Sequence, residues 1–494
     1  MQNENKENGL NFFSEFSDKT SCINSGMCSV DPSSNALEEL LLNEIKQIAF
    51  YIVKLADFGT KNDGIVQDAI KGLSVIIINT ALRLKDYKSL LFMLEEEKKS
   101  AKSLYLDCCK EKRIKYELVE NAIDLPKDSG LTSFLKAGEA LVVEKQKEYE
   151  PKKLDLIELI ITFAKTSAIN IEKLRRLGYV NDEWNFKILK FLNLTNISSI
   201  KIDKLKKKIC EFSEVSYKIW GKLTEILEQK YGKRKTSEIN LQIKKGKSIL
   251  VSGSDLDELD ALLKAVEGIE INVYTNSTLF MAFAYPHFAK YKNLIGHFGG
   301  ENAEEDFTKF KGPIFTTQSF LQKVDYFRRG TIYTTKIIAP EKMVRIENYD
   351  FKPLIQNALE SNGFSESDEI TFDKVLLKYD TKEIDKILSE ADNKEICVIV
   401  GSYRKEKIVE RFAGQKIIEL ESPVEIQLLI YILNKANCEN LNIVFTHCGP
   451  NTINILFSTL YTDPKKIYFA KCPNSLVSPH VIRAMAEEFD VEMI

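Results

Sequence analysis

Apolar residues recur every three to four positions along the first half of the chain. Between residues 36 and 231 they keep the spacing of one helix face, most clearly from Leu40 to Leu55. Glycine and proline rarely interrupt this pattern, apart from a turn signature at residues 125–130. The first half is therefore predicted to form a helical bundle.

The second half shows a different period. From Ser248 onward, short runs rich in β-branched and aromatic residues alternate with helical patterns. This alternation predicts Rossmann-like, doubly wound sheets of parallel strands, and hence an α plus α/β multidomain fold. The predicted strands are residues 249–251, 271–274, 331–334, 396–400, 441–445 and 466–469.

Two changes of pattern divide the chain. The segment 230–247 is rich in Lys and Arg and has no continuous apolar stripe, so we interpret it as a solvated linker at the main boundary, with a basic partner-binding patch as the alternative. A helical stretch at 384–391 precedes a second break. The predicted organisation is a cysteine-bearing segment 1–35, a helical domain 36–240, and two Rossmann-like domains, 241–390 and 391–494.

Composition narrows the possible functions without choosing one. A chain of 494 residues with a net charge of -3 has room for two to four domains and no general attraction to nucleic acid or to anionic lipid. Its nine cysteines are too sparse for a disulfide framework, no leader is apparent, and no apolar run reaches the roughly 20 residues of a membrane span. We therefore expect a cytoplasmic protein without nucleic-acid or membrane partners.

Several strings, in order along the chain, carry a resemblance to a known family. They are Ile249-Leu-Val-Ser-Gly-Ser-Asp-Leu256, Ile271-Asn-Val-Tyr-Thr275, Gly312-Pro-Ile-Phe-Thr-Thr317, Ile332-Tyr-Thr-Thr335 and Ser478-Pro-His-Val481, with Cys22 and Cys28 near the start. Together they resemble the hybrid-cluster family (prismane, hydroxylamine reductase), which is distantly related to nickel–iron carbon monoxide dehydrogenases. The resemblance implies a helical domain followed by two Rossmann-like domains, with a hybrid iron–sulfur–oxygen cluster where the three meet.

The same resemblance implies that most ligands of that cluster are missing here. The family's His falls at Ser254, a Glu at Thr278, a Cys at Ser319, the persulfide Cys at Ser402, and a second Glu at Gly449. Neutral hydroxyls are poor substitutes for thiolate, imidazole and carboxylate ligands of iron. We therefore predict no hybrid cluster and assign no catalytic residue. The hydroxyls are expected either to line a polar cavity or to be closed in by neighbouring side chains.

Cys22 and Cys28 resemble the second half of the four-cysteine motif that holds a cubane cluster in this family. One chain thus offers half a ligand set, and two chains related by a two-fold axis offer four thiolates. This favours a [4Fe-4S] cluster shared across a dimer. The alternatives are a vestigial pair in an N-terminal tail, a smaller cluster or an adventitious metal.

A second candidate metal site is weaker. His447 and Cys448 follow a predicted strand, and Cys472 follows the next one, so the three could coordinate a metal where open α/β sheets place their ligands. Buried cysteines are more often inert packing residues. No Gly-x-Gly-x-x-Gly or Walker-type motif is present, so no nucleotide is expected.

Three hypotheses for the function follow. The first is a redox accessory protein that keeps at most the bridging cluster, forms a homodimer or a heterodimer with a cluster-bearing homologue, and exchanges electrons with a redox partner protein. The second is an oxidoreductase of the hydroxylamine or nitric oxide reductase type with a rebuilt metal centre. The third is a metal-free scaffold or binding protein. Whether the chain is an enzyme is left open by its sequence.

Overall fold

The computed structural model describes residues 32–76, 84–120, 123–127, 130–299, 307–317, 331–336, 343–368, 375–377, 381–391, 394–401, 405–420, 426–446, 450–470 and 478–494. The chain divides into two compact units. The first takes in the described residues up to 76, then 87–223, and then those from 386 onward. The second contains residues 84–86 and the described residues between 224 and 385.

Long helices make up the first half of the chain, as its periodicity predicts. Asn62 and Asn181 each cap the start of a helix through a side-chain oxygen that accepts a backbone N–H, and Gly59 follows the end of the first helix in the left-handed region with φ of 78°. The helices are α1 Pro32–Asp57, α2 Asp63–Val75, α3 Leu84–Lys112, α4 Leu131–Glu148, α5 Pro151–Arg176, α6 Asp182–Leu192 and α7 Ile202–Tyr231.

Helix α1 is tied to three other helices by buried or nearly buried ion pairs. Each pair joins a glutamate of α1 to a lysine of a different helix: Glu38 to Lys165 of α5 at 3.3 Å, Glu39 to Lys145 of α4 at 2.7 Å, and Glu44 to Lys98 of α3 at 2.8 Å. A buried carboxylate is costly without such a partner. The pairs therefore fix the rotation of α1 in addition to its apolar packing.

The second unit is built on a parallel sheet of six strands. Its strand order is β4-β3-β2-β5-β6-β7, and a separate antiparallel ladder joins β1 to β8. The strands are β1 Ser237–Ile239, β2 Ser248–Ser252, β3 Asn272–Asn276, β4 Leu294–His297, β5 Ile314–Thr316, β6 Ile332–Thr334, β7 Val344–Arg345 and β8 Val375–Leu377. Helices α8 Leu256–Ala265 and α9 Lys352–Glu360 belong to this unit, and α10 Thr381–Glu390 begins at its end.

The basic segment 230–247 is not a solvated linker, so that interpretation was wrong. Tyr231, Ile239 and Ile243 are buried, and β1 pairs with β8 in this stretch. The guanidinium group of Arg234 lies 5.5 Å from the centre of the Tyr285 ring. Widely spaced apolar residues and one stacked arginine are enough to fold the segment onto the second unit, although no continuous apolar stripe runs along it.

A second parallel sheet lies near the end of the chain and belongs to the first unit. Its order is β10-β9-β11-β12-β13, and every pairing is parallel. The strands are β9 Ile396–Val400, β10 Lys416–Leu420, β11 Leu441–Phe445, β12 Lys466–Phe469 and β13 Glu492–Met493; the helices are α11 Lys405–Arg411, α12 Ile426–Lys435, α13 Pro450–Leu460 and α14 Pro479–Glu488. The predicted fold class, a helical region followed by two parallel-sheet α/β domains, is confirmed.

Helix α5 packs against the helices of this second sheet. The ring of Phe163 lies 5.2 Å from that of Phe457 on α13. Asp155 accepts two hydrogen bonds from Arg483 on α14, at 2.7 and 2.9 Å, and its Oδ1 lies 2.6 Å from Nδ1 of His480. The helical bundle and the C-terminal sheet therefore share one core. None of the helices in the described ranges is long and apolar enough to cross a membrane.

Candidate functional site

The order of the first sheet creates a crevice at the carboxyl ends of β2 and β5. The chain builds from β2 outward through β3 to β4, and then returns to place β5 on the other side of β2. Loops after strands that diverge in this way leave an opening, which is where open α/β sheets bind their ligands. Ser254, one of the predicted cluster positions, directly follows β2 at this point.

The turn after β2 is closed by a threonine that follows β5, its neighbour in the sheet. Thr317, which follows β5, accepts hydrogen bonds at its Oγ1 from the backbone N–H groups of Ser254 at 3.1 Å and Asp255 at 3.2 Å. Its own backbone N–H donates to the carbonyl of Ser252 at 2.8 Å. These bonds tie the ends of β2 and β5 together across the crevice.

Thr278, the second predicted cluster position that the structure describes, lies beside the same turn. Its hydroxyl donates to the carbonyl oxygen of Gly253 at 2.9 Å. The preceding Ser277 has φ of 59°, a left-handed conformation that is uncommon outside glycine and turns the chain sharply as it leaves β3. The structure thus brings the turns of Ser254 and Thr278 together.

Charged side chains complete this region. Glu258, in the first turn of α8, is buried; its Oε1 lies 2.8 Å from Nζ of Lys336 and accepts a hydrogen bond from Thr335 at 2.6 Å. The Lys336 ammonium also lies 3.8 Å from a carboxylate oxygen of Asp255. We call Ser254, Asp255, Glu258, Thr278, Thr317, Thr335 and Lys336 the strand-end network.

His297 marks the end of β4. Its Nδ1 lies 2.9 Å from the hydroxyl of Thr275, and burial lowers the pKa of its imidazole to about 4. The ring is therefore neutral at pH 7. Its role here is a structural hydrogen bond.

The donors of the strand-end network do not fit a hybrid cluster. The Thr278 hydroxyl donates to a backbone carbonyl, Asp255 caps α8 by accepting from the N–H groups of Asp257 and Glu258, and Glu258 is paired with an ammonium group. Iron in such clusters requires thiolate, imidazole or free carboxylate ligands. In the described part of the chain, no three His, Cys, Asp or Glu residues are grouped so that they could hold a metal ion.

The same cap disfavours a nucleotide. In dinucleotide-binding sheets the pyrophosphate takes the free N–H groups at the start of the helix after the first strand. Here the Asp255 carboxylate takes two of these N–H groups, and Asp257 and Glu258 add negative charge in the first turn. An anionic phosphate would meet occupied donors and repulsion.

The other predicted site residues lie outside the described residues: Cys22, Cys28, Ser319, Ser402, His447, Cys448, Gly449 and Cys472. The strands before some of them are described. β9 and β11 are adjacent, with Val400 opposite Phe445, and their outer neighbours are β10 and β12. The chain order reverses between these two strands, so positions 402 and 447–449 follow the strands that flank the switch point of the second sheet.

Comparison with known proteins assigns the family. The Prismane/CO dehydrogenase family matches residues 17–408, which is well over half of the chain. The chain belongs to the Prismane/CO dehydrogenase family. Family membership agrees with the strings noted above and with the helical region followed by two parallel sheets.

Three curated relatives are named hydroxylamine reductase. The chain is 29% identical over 360 residues to a hydroxylamine reductase of Thermosipho melanesiensis, with 70% of this chain and 64% of the relative covered. It is 26% identical over 348 residues to that of Syntrophobacter fumaroxidans, with 70% and 64% covered, and 26% identical over 353 residues to that of Clostridium novyi, with 68% and 62% covered. The chain therefore spans less than two thirds of the length of these relatives.

A solved structure also matches. It is titled as NiZn[Fe4S4] and NiNi[Fe4S4] clusters in closed and open alpha subunits of acetyl-CoA synthase/carbon monoxide dehydrogenase. The match has a TM-score of 0.43 and 10% identity, and covers 94% of this chain and 81% of that one.

Five members of the strand-end network were not predicted as site residues: Asp255, Glu258, Thr317, Thr335 and Lys336. Thr317, Lys336 and Glu258 come from β5, β6 and α8, which are distant in the sequence. Their position in the sequence could have identified them, because residues that directly follow parallel strands meet at one edge of the sheet. Applied to the Thr-Thr strings after β5 and β6, this rule would have placed Thr317 and Lys336 beside Ser254.

Proposed function

We propose that this chain is a redox accessory protein of the prismane family that lacks the hybrid cluster and carries at most one [4Fe-4S] cluster shared between two chains. One observation carries the first part of the proposal: the Thr278 hydroxyl and the turn of Ser254 are used up in hydrogen bonds within the protein. A hydroxyl that donates to a backbone carbonyl, and a serine whose backbone is held in a closed turn, are poor positions for iron ligands.

The charge of the strand-end network supports the same conclusion. Lys336 brings a cation to the carboxyl ends of the strands, where it pairs with Glu258. Removing Glu258 from the pair to serve as a metal ligand would leave Lys336 without its closest counter-charge. Hydroxylamine or nitric oxide reduction at this crevice is therefore not part of the proposed function.

The cluster part of the proposal rests on Cys22 and Cys28. A cubane cluster needs four thiolates, and one chain contributes two in this segment. A two-fold axis through the cluster doubles the set without any further residue. The second chain is another copy or a cluster-bearing homologue, and a separate redox protein supplies or accepts the electron.

Iron and acid-labile sulfide per chain, measured on anaerobically purified protein, test the proposal together with EPR of the reduced sample and its mass in solution. About two irons per chain in a dimer supports the shared cluster. The double variant Cys22→Ala/Cys28→Ala should lose all of the iron. Its matched control is Cys108→Ala/Cys109→Ala, which removes two thiols from α3 and should keep the iron.

The other results decide between the rivals. Iron that survives in Cys22→Ala/Cys28→Ala contradicts the shared cluster and points to a second metal centre. Protein that is purified anaerobically without iron contradicts a redox role and leaves a scaffold or binding protein.

A second candidate is an oxidoreductase of the hydroxylamine reductase type with a rebuilt metal centre. The names of the curated relatives favour it. Its ligands would come from His447, Cys448 and Cys472, outside the described residues. Hydroxylamine-dependent oxidation of reduced methyl viologen, lost in Cys448→Ala and retained in Cys397→Ala, would support this candidate; no oxidation would reject it.

A further inference from the structure

Residues 114–118, which we call the strap, expose an unusual run of apolar side chains. Ile114, Tyr116 and Leu118 have 49%, 54% and 49% of their surface exposed. The strap is neither helical nor part of a turn. Single exposed apolar residues are common on proteins, whereas three at alternate positions of one segment indicate a surface that becomes covered.

The strap is held in place rather than hanging free. Arg113 ends α3 with φ of 55°, and the Ile114 N–H donates to the carbonyl of Cys109 at 2.9 Å. The Glu117 N–H donates to the Tyr105 hydroxyl at 2.9 Å, and the Glu117 carboxylate lies 2.6 Å from Nζ of Lys54 on α1. A segment fixed at both ends loses little entropy when it binds.

The anchor at Glu117 sets which backbone groups face outward. In an extended chain the N–H and C=O of successive residues point to opposite sides. Because the Glu117 N–H points at Tyr105, those of Tyr116 and Leu118 point away from it. Within the described part of the chain these outward groups have no hydrogen-bond partner, as in an exposed edge strand.

The order of side chains in the strap is complementary to itself. When two straps are placed antiparallel about Tyr116, Ile114 lies opposite Leu118 of the other copy and the two tyrosines face each other. Lys115 then lies opposite Glu117 of the other copy, on the opposite face of the ribbon. Apolar residues meet apolar residues, and each charge meets its opposite.

We propose that two copies of this chain associate through the strap, as an antiparallel two-stranded ribbon with its two-fold axis at Tyr116. The contact is isologous, and closes on itself as a dimer. Tyr116 and Leu118 supply the outward backbone donors, and Glu117 sits between Lys54 of its own chain and Lys115 of the other copy. The proposal does not depend on any cluster.

The size of the contact predicts a weak dimer. Three half-exposed side chains per chain amount to roughly 600 Å² in total, about half of what a stable interface buries. We therefore expect a monomer–dimer equilibrium that shifts with protein concentration, unless a second interface adds to this one.

Sedimentation velocity of the full chain over a dilution series, with reductant and without iron, tests the proposal. Lys115→Glu and Glu117→Lys each place like charges opposite each other twice per dimer, so each should weaken self-association about tenfold. A mixture of the two variants restores both pairings and should associate again. The matched control is Lys110→Glu, which makes the same charge change on the exposed end of α3 and should leave the equilibrium unchanged.

Three results would overturn the proposal. They are a monomer at every concentration, a Lys115→Glu variant that associates like Lys110→Glu, and a mixture that fails to associate better than its components. In anaerobically purified, iron-containing protein, a dimer that is lost in Cys22→Ala/Cys28→Ala but is unaffected by Lys115→Glu would also overturn the strap contact, and would support the shared cluster.

Discussion

Replacing Lys98 by methionine isolates the energy of one buried ion pair. The Lys98 side chain is 7% exposed, and that of its partner Glu44 is 0% exposed, with Nζ and Oε2 at 2.8 Å. Methionine keeps most of the volume of the lysine and removes the charge. We expect the free energy of unfolding of the first unit to fall by about 3–5 kcal/mol at neutral pH, because the carboxylate is left buried without a counter-charge.

The pH dependence of this loss has a definite sign. Burial already raises the pKa of Glu44, and Lys98 opposes that rise. In Lys98→Met the folded-state pKa rises further above the unfolded value of about 4.3. The destabilisation is complete above the folded-state pKa and disappears below the unfolded one, so the variant should recover stability relative to the natural protein as the pH falls from 7 toward 5.

Urea unfolding followed by circular dichroism at neutral and at mildly acidic pH measures both effects. Lys99→Met is the matched control, because the neighbouring Lys99 is 55% exposed and pairs only at the surface; it should cost less than about 1 kcal/mol. The double variant Lys98→Met/Glu44→Leu should regain most of the lost stability. Equal losses in Lys98→Met and Lys99→Met, or no recovery in the double variant, would refute this account of the pair.

Further changes test the contacts of both sheets. Thr278→Val removes the hydrogen bond to the turn after β2 and should cost about 1 kcal/mol in urea unfolding. Thr132→Val, at an exposed position of α4, is the comparison and should cost less. For His297 the folded-state pKa of about 4 lies below the unfolded value of about 6.5. The free energy of unfolding should therefore decrease by about 1.4 kcal/mol for each unit by which the pH is lowered from about 6.5 to about 4. His297→Leu should lose this slope, and a slope that persists in the variant would exclude the imidazole as its source. Asp155→Asn weakens the bidentate contact with Arg483 and should speed proteolysis of the C-terminal sheet; unchanged proteolysis would show that this ion pair does not hold the sheet.

The central strands of both sheets were predicted from sequence with the exception of β5, and the edge strands were not. β2, β3, β6, β9, β11 and β12 correspond to the six predicted runs. The strands at the sheet edges are β4, β7, β10 and β13. β10 contains Lys416 and Glu419, and β7 and β13 have two residues each, so neither apolar content nor length distinguishes them from loops.

The site was predictable only in part, for a topological reason. Ser254 and Thr278 follow consecutive strands, which usually pair, so their proximity could be expected. Thr317 and Lys336 meet the same turn because β5 returns to the other side of β2. The side of β2 on which β5 pairs depends on the packing of whole strands, and no local sequence motif indicates it. The sequence therefore could not show whether Ser254 and Thr278 line a polar cavity or are closed in by neighbouring side chains.

The contact between α5 and the C-terminal helices has a consequence for biosynthesis. Asp155 and His480 are separated by 325 residues, although they belong to one compact unit. At about 5–20 residues per second, a ribosome needs roughly 16 to 65 seconds to make this stretch. Throughout that time the face of α5 around Phe163 is not covered by Phe457 and the other C-terminal residues that pack on it in the folded protein. The ribosome makes the whole second unit before it makes the C-terminal part of the first unit. During this time the nascent chain exposes an apolar surface on α5 that chaperones or other nascent chains can bind.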